Sequence, residues 1–413
     1  METSSDQIQV KPRSQRILAV FLRALLLLAS TGATAATPTY FWDINGSNPG
    51  AADDGNPPDG AWASNTTNWT TDSSGSISTF AYPGRANVVF AATGDPVWYD
   101  TPDYTVTVNG VQQVSDIVIQ DGNCTLTSAS GYLDKDTPFI SVLNPGQIAT
   151  MNTVIASAAG TSKGITKFAP GTLVLGATNT YSGPTTIEGG TLQLGAPQVL
   201  PSASTLVLAG GDTRTTGYTY GYNTTDPIFA TGGHSQTLGP LLLAGPYTSL
   251  IHTIDYAPGA GALAFADSHQ QNWNGIPLTI LNYIPGVTSL RFGTSNAGLT
   301  STQLGLIQFD FINSAYATVV VPAKIDSQGF VTPVLPVILS VALSGSTNAV
   351  VTWSSINTRR YLVHYKASLS AAQWSSAPKD VTAVGSTTSY TNNISTNASS
   401  LYRIELLPIQ PPG

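Results

Sequence analysis

Charged side chains make up only 9% of the 413 residues, and cysteine occurs once. Ordinary soluble domains carry roughly a quarter charged residues. Helices need long charged side chains on their wet face, whereas strands accept Thr and Val. The shortage therefore points to β structure. The formal net charge is −7, and no dense Lys/Arg cluster offsets it. Nucleic acid and anionic lipid, which need such clusters, are excluded as main partners. A single Cys124 excludes an internal disulfide. Its setting, Asn123-Cys124-Thr125-Leu126, reads as a strand and predicts a buried, inert thiol.

Catalytic residue types are equally scarce. Beyond Glu2 the only glutamates are Glu188 and Glu405, which limits the paired carboxylates that glycoside hydrolysis uses. The histidines are His234, His252, His269 and His364. None belongs to a His-x-x-x-His pair or a Cys/His cluster, so no zinc site is expected. His364, between Val363 and Tyr365, reads as a solvent-facing strand residue. No Gly-x-Ser-x-Gly elbow or phosphate loop occurs. The expectation is a protein without catalytic activity, metal or cofactor.

What is present begins with an export signal. Lys11, Arg13 and Arg16 precede an apolar stretch from Ile17 to Ala29 broken only by Arg23, and Ala33-Thr34-Ala35 supplies small residues for cleavage. The stretch is shorter than the roughly 20 apolar residues a membrane span needs. Residues 1–35 are expected to be removed as a signal peptide, leaving no membrane span. Four basic residues (Lys11, Arg13, Arg16, Arg23) and two acidic ones (Glu2, Asp6) go with them, for a mature net charge of −9.

The clearest internal signal is a repeat. Gly171-Thr-Leu-Val-Leu-Gly176 recurs nineteen residues on as Gly190-Thr-Leu-Gln-Leu-Gly195, with a looser copy at Thr205-Leu-Val-Leu-Ala-Gly210. Leucines two apart share one face of a strand, and Tyr181-Ser182-Gly183-Pro184 reads as a turn. A strand–turn–strand unit that recurs marks stacked coils, each burying its neighbour's leucines. Leu173, Leu175, Leu192 and Leu194 are the predicted core.

These residues, with Asn179-Thr-Tyr181-Ser-Gly183-Pro-Thr185-Thr-Ile187 between the copies, closely resemble the autotransporter-associated β-strand repeat. That repeat occurs in autotransporter passenger regions and in large secreted bacterial proteins. Two flanking stretches resemble regions that accompany it: Tyr40-Phe41-Trp42-Asp43 with Asn68-Trp69 and Tyr82-Pro83-Gly84, and Gly261 to Asp267 through Ile307. The resemblance covers most of residues 40–332, with one clear copy at 171–202. It implies an all-β fold, with a right-handed parallel β-helix or solenoid-like region over 36–332, in a secreted or cell-surface protein of structural or adhesive role.

Thr332-Pro333-Val334-Leu335-Pro336 predicts a linker. Beyond it, Ile338–Leu343, Ala349–Trp353, Tyr361–Tyr365 and Ser400–Leu406 read as strands of a small β-sandwich over 337–408. With Trp353, Trp374 and Leu401-Tyr402-Arg403-Ile404, this part resembles a fibronectin-type-III-like module. Neither a translocator barrel nor a sorting-type tail is expected from the remaining sequence.

Because β-solenoids also host carbohydrate-active proteins, the rival reading is a carbohydrate-binding or carbohydrate-active β-helix. Extracellular polysaccharide or cell-surface components are then the partners. Tyr218, Tyr220 and Tyr222 alternate along one face and are the candidate sugar contacts. Trp42, Trp62 and Trp69 are expected to pack in the core or in turns. Asp53-Asp54 and Asp134-Lys135-Asp136 are the densest carboxylates, and they read as structural loops rather than calcium sites. At about 20 residues per coil, residues 40–332 allow at most about 14 coils. A particle longer than a compact sphere is expected from such a stack.

Overall fold

The computed structural model describes residues 36–53, 56–91, 102–211, 225–246, 249–312, 318–394 and 400–408. Contacts separate Met1–Pro38 from Thr39–Gly413, and the fold below is that of the second unit. It is nearly all β. One helix, Ser301–Gly305, occurs among the described residues. It is capped by Thr300, whose hydroxyl accepts from the Gln303 amide while the Gln303 side chain reaches back to Thr300.

Most strands join one large, mainly parallel sheet. Its longest ladder runs from Gly60–Trp62 through Tyr104–Val108, Cys124–Lys135, Ile148–Ser157, Thr172–Leu175, Gly190–Leu194, Pro227–Ala230, His252–Asp255 and Leu278–Leu281 to Ile307–Ile312. Directly stacked in it are Tyr104, Cys124, Ala149, Leu173, Leu192, Phe229, Ile254, Ile280 and Phe309, all buried. Ten strands at about 4.8 Å make a ladder roughly 43 Å long. Burying each large apolar side chain contributes about 1.5–3 kcal/mol. Since no coil buries its own leucines, this stabilisation exists only in the stack.

Thr172–Leu175 and Gly190–Leu194 stack as the repeat predicts, Leu173 on Leu192 and Leu175 on Leu194. The third copy behaves differently. Leu206–Leu208 pairs with Thr185–Ile187 and with Leu241–Leu243, in a second parallel ladder. Both ladders bury alternate residues, so leucines two apart mark a core strand without saying which face it lies on. The second ladder begins at Thr39–Trp42 and continues through Ala86–Phe90, Val111–Ile119, Phe139–Val142 and Ile165–Phe168. A third, shorter ladder joins Gln236–Leu238, Ala262–Phe265 and Ser289–Phe292.

Coil length is not constant, and the ladder therefore holds fewer rungs than the repeat spacing allows. Val174 and Gln193 are partners nineteen residues apart. Gln193 and Ala230 are partners thirty-seven apart, with residues 212–224 lying outside the described ones.

Both ends of the stack are covered. At the start, Trp42, Trp62, Trp69, Tyr82 and Phe90 pack in edge-to-face and tilted pairs, with ring centroids 5.0–6.0 Å apart, and the three tryptophans are fully buried. At the far end Ile307–Ile312 pairs antiparallel with Thr318–Ile325, which pairs antiparallel with Val331–Pro333. An antiparallel hairpin occupies the edge that a further coil would extend.

After Pro336 come two antiparallel sheets. One holds Ile338–Ser344, Asn348–Ser354 and Thr387–Asn393. The other holds Arg360–Lys366 with Ser375–Ser376, Val381–Thr382 and Leu401–Leu406. Their buried side chains meet at Trp353 and Tyr361, 5.9 Å between ring centroids. Thr387–Asn393 escapes the sequence reading because its alternation is hydroxyls against Tyr390, with few apolar residues to announce it.

Candidate functional site

Three clusters of polar or titratable side chains stand out, and each is built by strand register. The first lies where the second ladder meets the strand Cys124–Lys135. Val114 and Ser157 flank Lys135 in register, which carries the lysine side chain inward, where it is fully buried. Its ammonium donates to the carbonyls of Ser115 and Phe139. Burial lowers its pKa to about 7, against the pull of Asp116 and Asp136; Arg85 adds to the lowering. Arg85 spans 49 residues to bind Asp134 at 2.8 Å, and it contacts Asp136 at 3.3 Å. Asp136 also accepts from Ser115 Oγ at 2.8 Å, and Asp116 from Thr137 Oγ1 at 2.6 Å. Asp134-Lys135-Asp136 is thus no loop: Asp134 and Lys135 end a strand, and both aspartates pair with Arg85. Asp54 of the other carboxylate pair lies outside the described residues, while Asp53 accepts from Asn48 at 3.3 Å.

Beside this cluster the ladder opens. Thr127 pairs with Asn152 and Tyr132 with Val154, so Ser128–Gly131 bulges out opposite the single residue Thr153. A cleft of about 690 Å³ results. Hydroxyl and amide side chains of Ser128, Ser130, Asn152, Ser157 and Thr180 line it, with Tyr132 and Asp134. Thr153 lines it too; its Oγ1 is buried and has no hydrogen-bond partner.

The second cluster corrects the reading of His364. The side chain is not solvent-facing but only 8% exposed. Nε2 meets Glu405 Oε2 at 2.6 Å and Nδ1 meets Ser376 Oγ at 2.9 Å. A hydroxyl, an imidazole and a carboxylate in line have the order of a nucleophile–base–orienter chain. All three lie on one sheet, with Trp374 alongside between the Lys366 ammonium and the Arg403 guanidinium, at 4.9 and 5.1 Å from its ring centroid. Sequence reasoning missed it because the partners are 12 and 41 residues away and only the cross-strand register joins them.

The third is an ammonium in the core. Lys167 stands in register between Ile140 and Ile187 and is fully buried. It donates to the carbonyls of Phe168 at 2.6 Å, Ala169 at 2.7 Å and Gly189 at 3.2 Å. Burial pushes its pKa well below the usual lysine range. The arrangement ties the corner of one coil to the next.

The remaining candidates fall as follows. Tyr218, Tyr220 and Tyr222 lie outside the described residues. Cys124 is buried and its thiol pKa raised, chiefly by burial. His252 is buried and meets the Ala244 carbonyl at 2.9 Å; His269 sits 2.6 Å from Asp267 at the surface. Among the described residues no helix is long and apolar enough to cross a membrane.

Compared with known families, residues 165–194 match the passenger-associated-transport-repeat family. The match spans Ile165–Phe168, Thr172–Leu175, Thr185–Ile187 and Gly190–Leu194, the region where Lys167 and the stacked leucines lie. A repeat of autotransporter passengers implies a secreted or cell-surface protein. No curated protein and no solved structure matches the chain.

Proposed function

We propose that this chain is an exported structural or adhesive protein whose stacked coils form a right-handed solenoid, a scaffold without catalytic activity. The observation that carries the reading is the coincidence of the passenger-repeat match with parallel ladders that run in unbroken register through the matched residues. A ladder whose rungs vary in length but keep their buried column provides a long surface on which corner loops vary freely. Residues 1–35 serve as the signal peptide, cleaved after Ala35, and residues 337–408 form a fibronectin-type-III-like end module. Partners are extracellular polysaccharide or cell-surface components, not nucleic acid, and the mature chain has no membrane span.

The test is fractionation of a bacterial host expressing the full chain, with mass spectrometry of the product's amino terminus. Export with a terminus at Ala36 is the expected result; an uncleaved chain retained in the cytoplasm would sink the reading. The absence of catalysis is tested separately, by incubating the purified protein with polysaccharides. Reproducible release of reducing ends or unsaturated products would make it an enzyme.

A further inference from the structure

We infer that the cleft opened by the Ser128–Gly131 bulge is a binding site for a neutral oligosaccharide. The inference goes beyond the scaffold reading, because stacking alone requires no such opening. The register is unbroken from Cys124 to Thr127 and again from Tyr132 to Lys135. Four residues inserted between these stretches keep both ladders intact and lift the backbone away from Thr153. The bulge is held in shape: Ser128 Oγ accepts the amides of Ser130, at 3.2 Å, and Gly131, at 2.5 Å. Gly131 is required there, since a Cβ would come within 2.5 Å of the Gly110 carbonyl oxygen.

Four features identify the ligand class. The cleft's volume, about 690 Å³, lies within the roughly 300–1,000 Å³ of small-molecule sites. Its polar lining is hydroxyls and an amide, groups that both donate and accept, as sugar hydroxyls require. Tyr132, 37% exposed, adds an aromatic ring to the lining. Asp134 is the one charged residue lining it, and Arg85 holds that carboxylate at 2.8 Å, so the site carries little net charge. An anionic uronate finds no free cation in that lining, and a neutral sugar loses nothing by its lack of charge.

The Thr153 side chain shares the inward face of its strand with Ala149, Met151 and Ile155. The side chains open to a ligand are those of the bulge and of the exposed Asn152.

The experiment uses the full exported chain with two probe sets: neutral cello-, malto-, laminari- and manno-oligosaccharides, and oligogalacturonates. Binding is measured by titration calorimetry for the parent, Asn152→Ala and Tyr132→Ala. At least one neutral series should bind. Each substitution should weaken it about tenfold or more, the effect of roughly 1.4 kcal/mol, while both variants, at exposed positions, melt within a few degrees of the parent. No binding of any neutral series, preference for oligogalacturonates, or equal binding by parent and both variants would each overturn the assignment. None of these outcomes bears on export, which the amino-terminal analysis decides alone.

Discussion

Leu192 sits directly on Leu173, one coil above it, and both are completely buried. On its other side Leu192 meets Phe229. The residue is therefore enclosed by two neighbouring coils as well as its own, and its environment depends on stacking.

Leu192→Asp should destabilise the solenoid by several kcal/mol, on the order of 4 or more, adding an unpaired buried carboxylate to a lost apolar contact. Thermal and denaturant unfolding of the variant checks this. A midpoint equal to the parent's would mean that the leucine is not in the core.

Gly190 begins the same strand with φ +66°, and a Cβ there would lie 2.4 Å from the Ala169 carbonyl oxygen and 2.6 Å from that of Gly171. Gly190→Ala combines a left-handed backbone, costing about 1–2 kcal/mol, with a clash against the preceding coil. The variant should unfold at clearly lower denaturant than the parent. Gly275→Ala, also at positive φ but with open space around its Cβ, should lose only the backbone part.

Lys135 predicts a pH dependence whose sign is fixed. Its pKa is about 7 when folded and about 10.4 in an unfolded chain. Between those values the unfolded state holds the proton and the folded state does not, so stability rises as pH increases from about 7 to about 10.4. Below pH 7 the full cost of the buried charge is present. Lys167, shifted in the same direction, adds to the trend. Denaturant midpoints measured from pH 6 to 10 should climb for the parent and climb less steeply for Lys135→Met. A parallel pair of curves would show that Lys135 is not the buried group responsible.

Glu405→Gln tests the contact with His364. The pair meets at 2.6 Å with the histidine side chain 8% exposed and the glutamate 19%. Replacing a charge-assisted bond by a neutral one should lower stability by about 1–2 kcal/mol. The loss should show in Trp374 fluorescence, because that ring lies beside the same sheet. The Leu192→Asp lesion, by contrast, should be read best in the solenoid's strand signal by circular dichroism.

The sequence by itself determined the class of this protein and its core. Scarce charge and abundant Thr and Gly excluded a helical fold, and leucines two apart fixed which faces of 172–175 and 190–194 are buried, because the strand period is two whatever the strand pairs with. The nineteen-residue spacing sufficed to stack those two strands. Tertiary structure alone decided the rest, since pairing partners in a solenoid are set by how many residues each corner holds. That count sent Leu206–Leu208 to a different ladder from the copies it resembles. It brought Arg85 to Asp134. Register within one strand pair raised four residues over Thr153 to open a cleft, and antiparallel pairing beyond the solenoid brought Glu405 to His364. Nothing in the local sequence of Ser128-Ala129-Ser130-Gly131 distinguishes a bulge from a turn; only the continuous register on either side of it does.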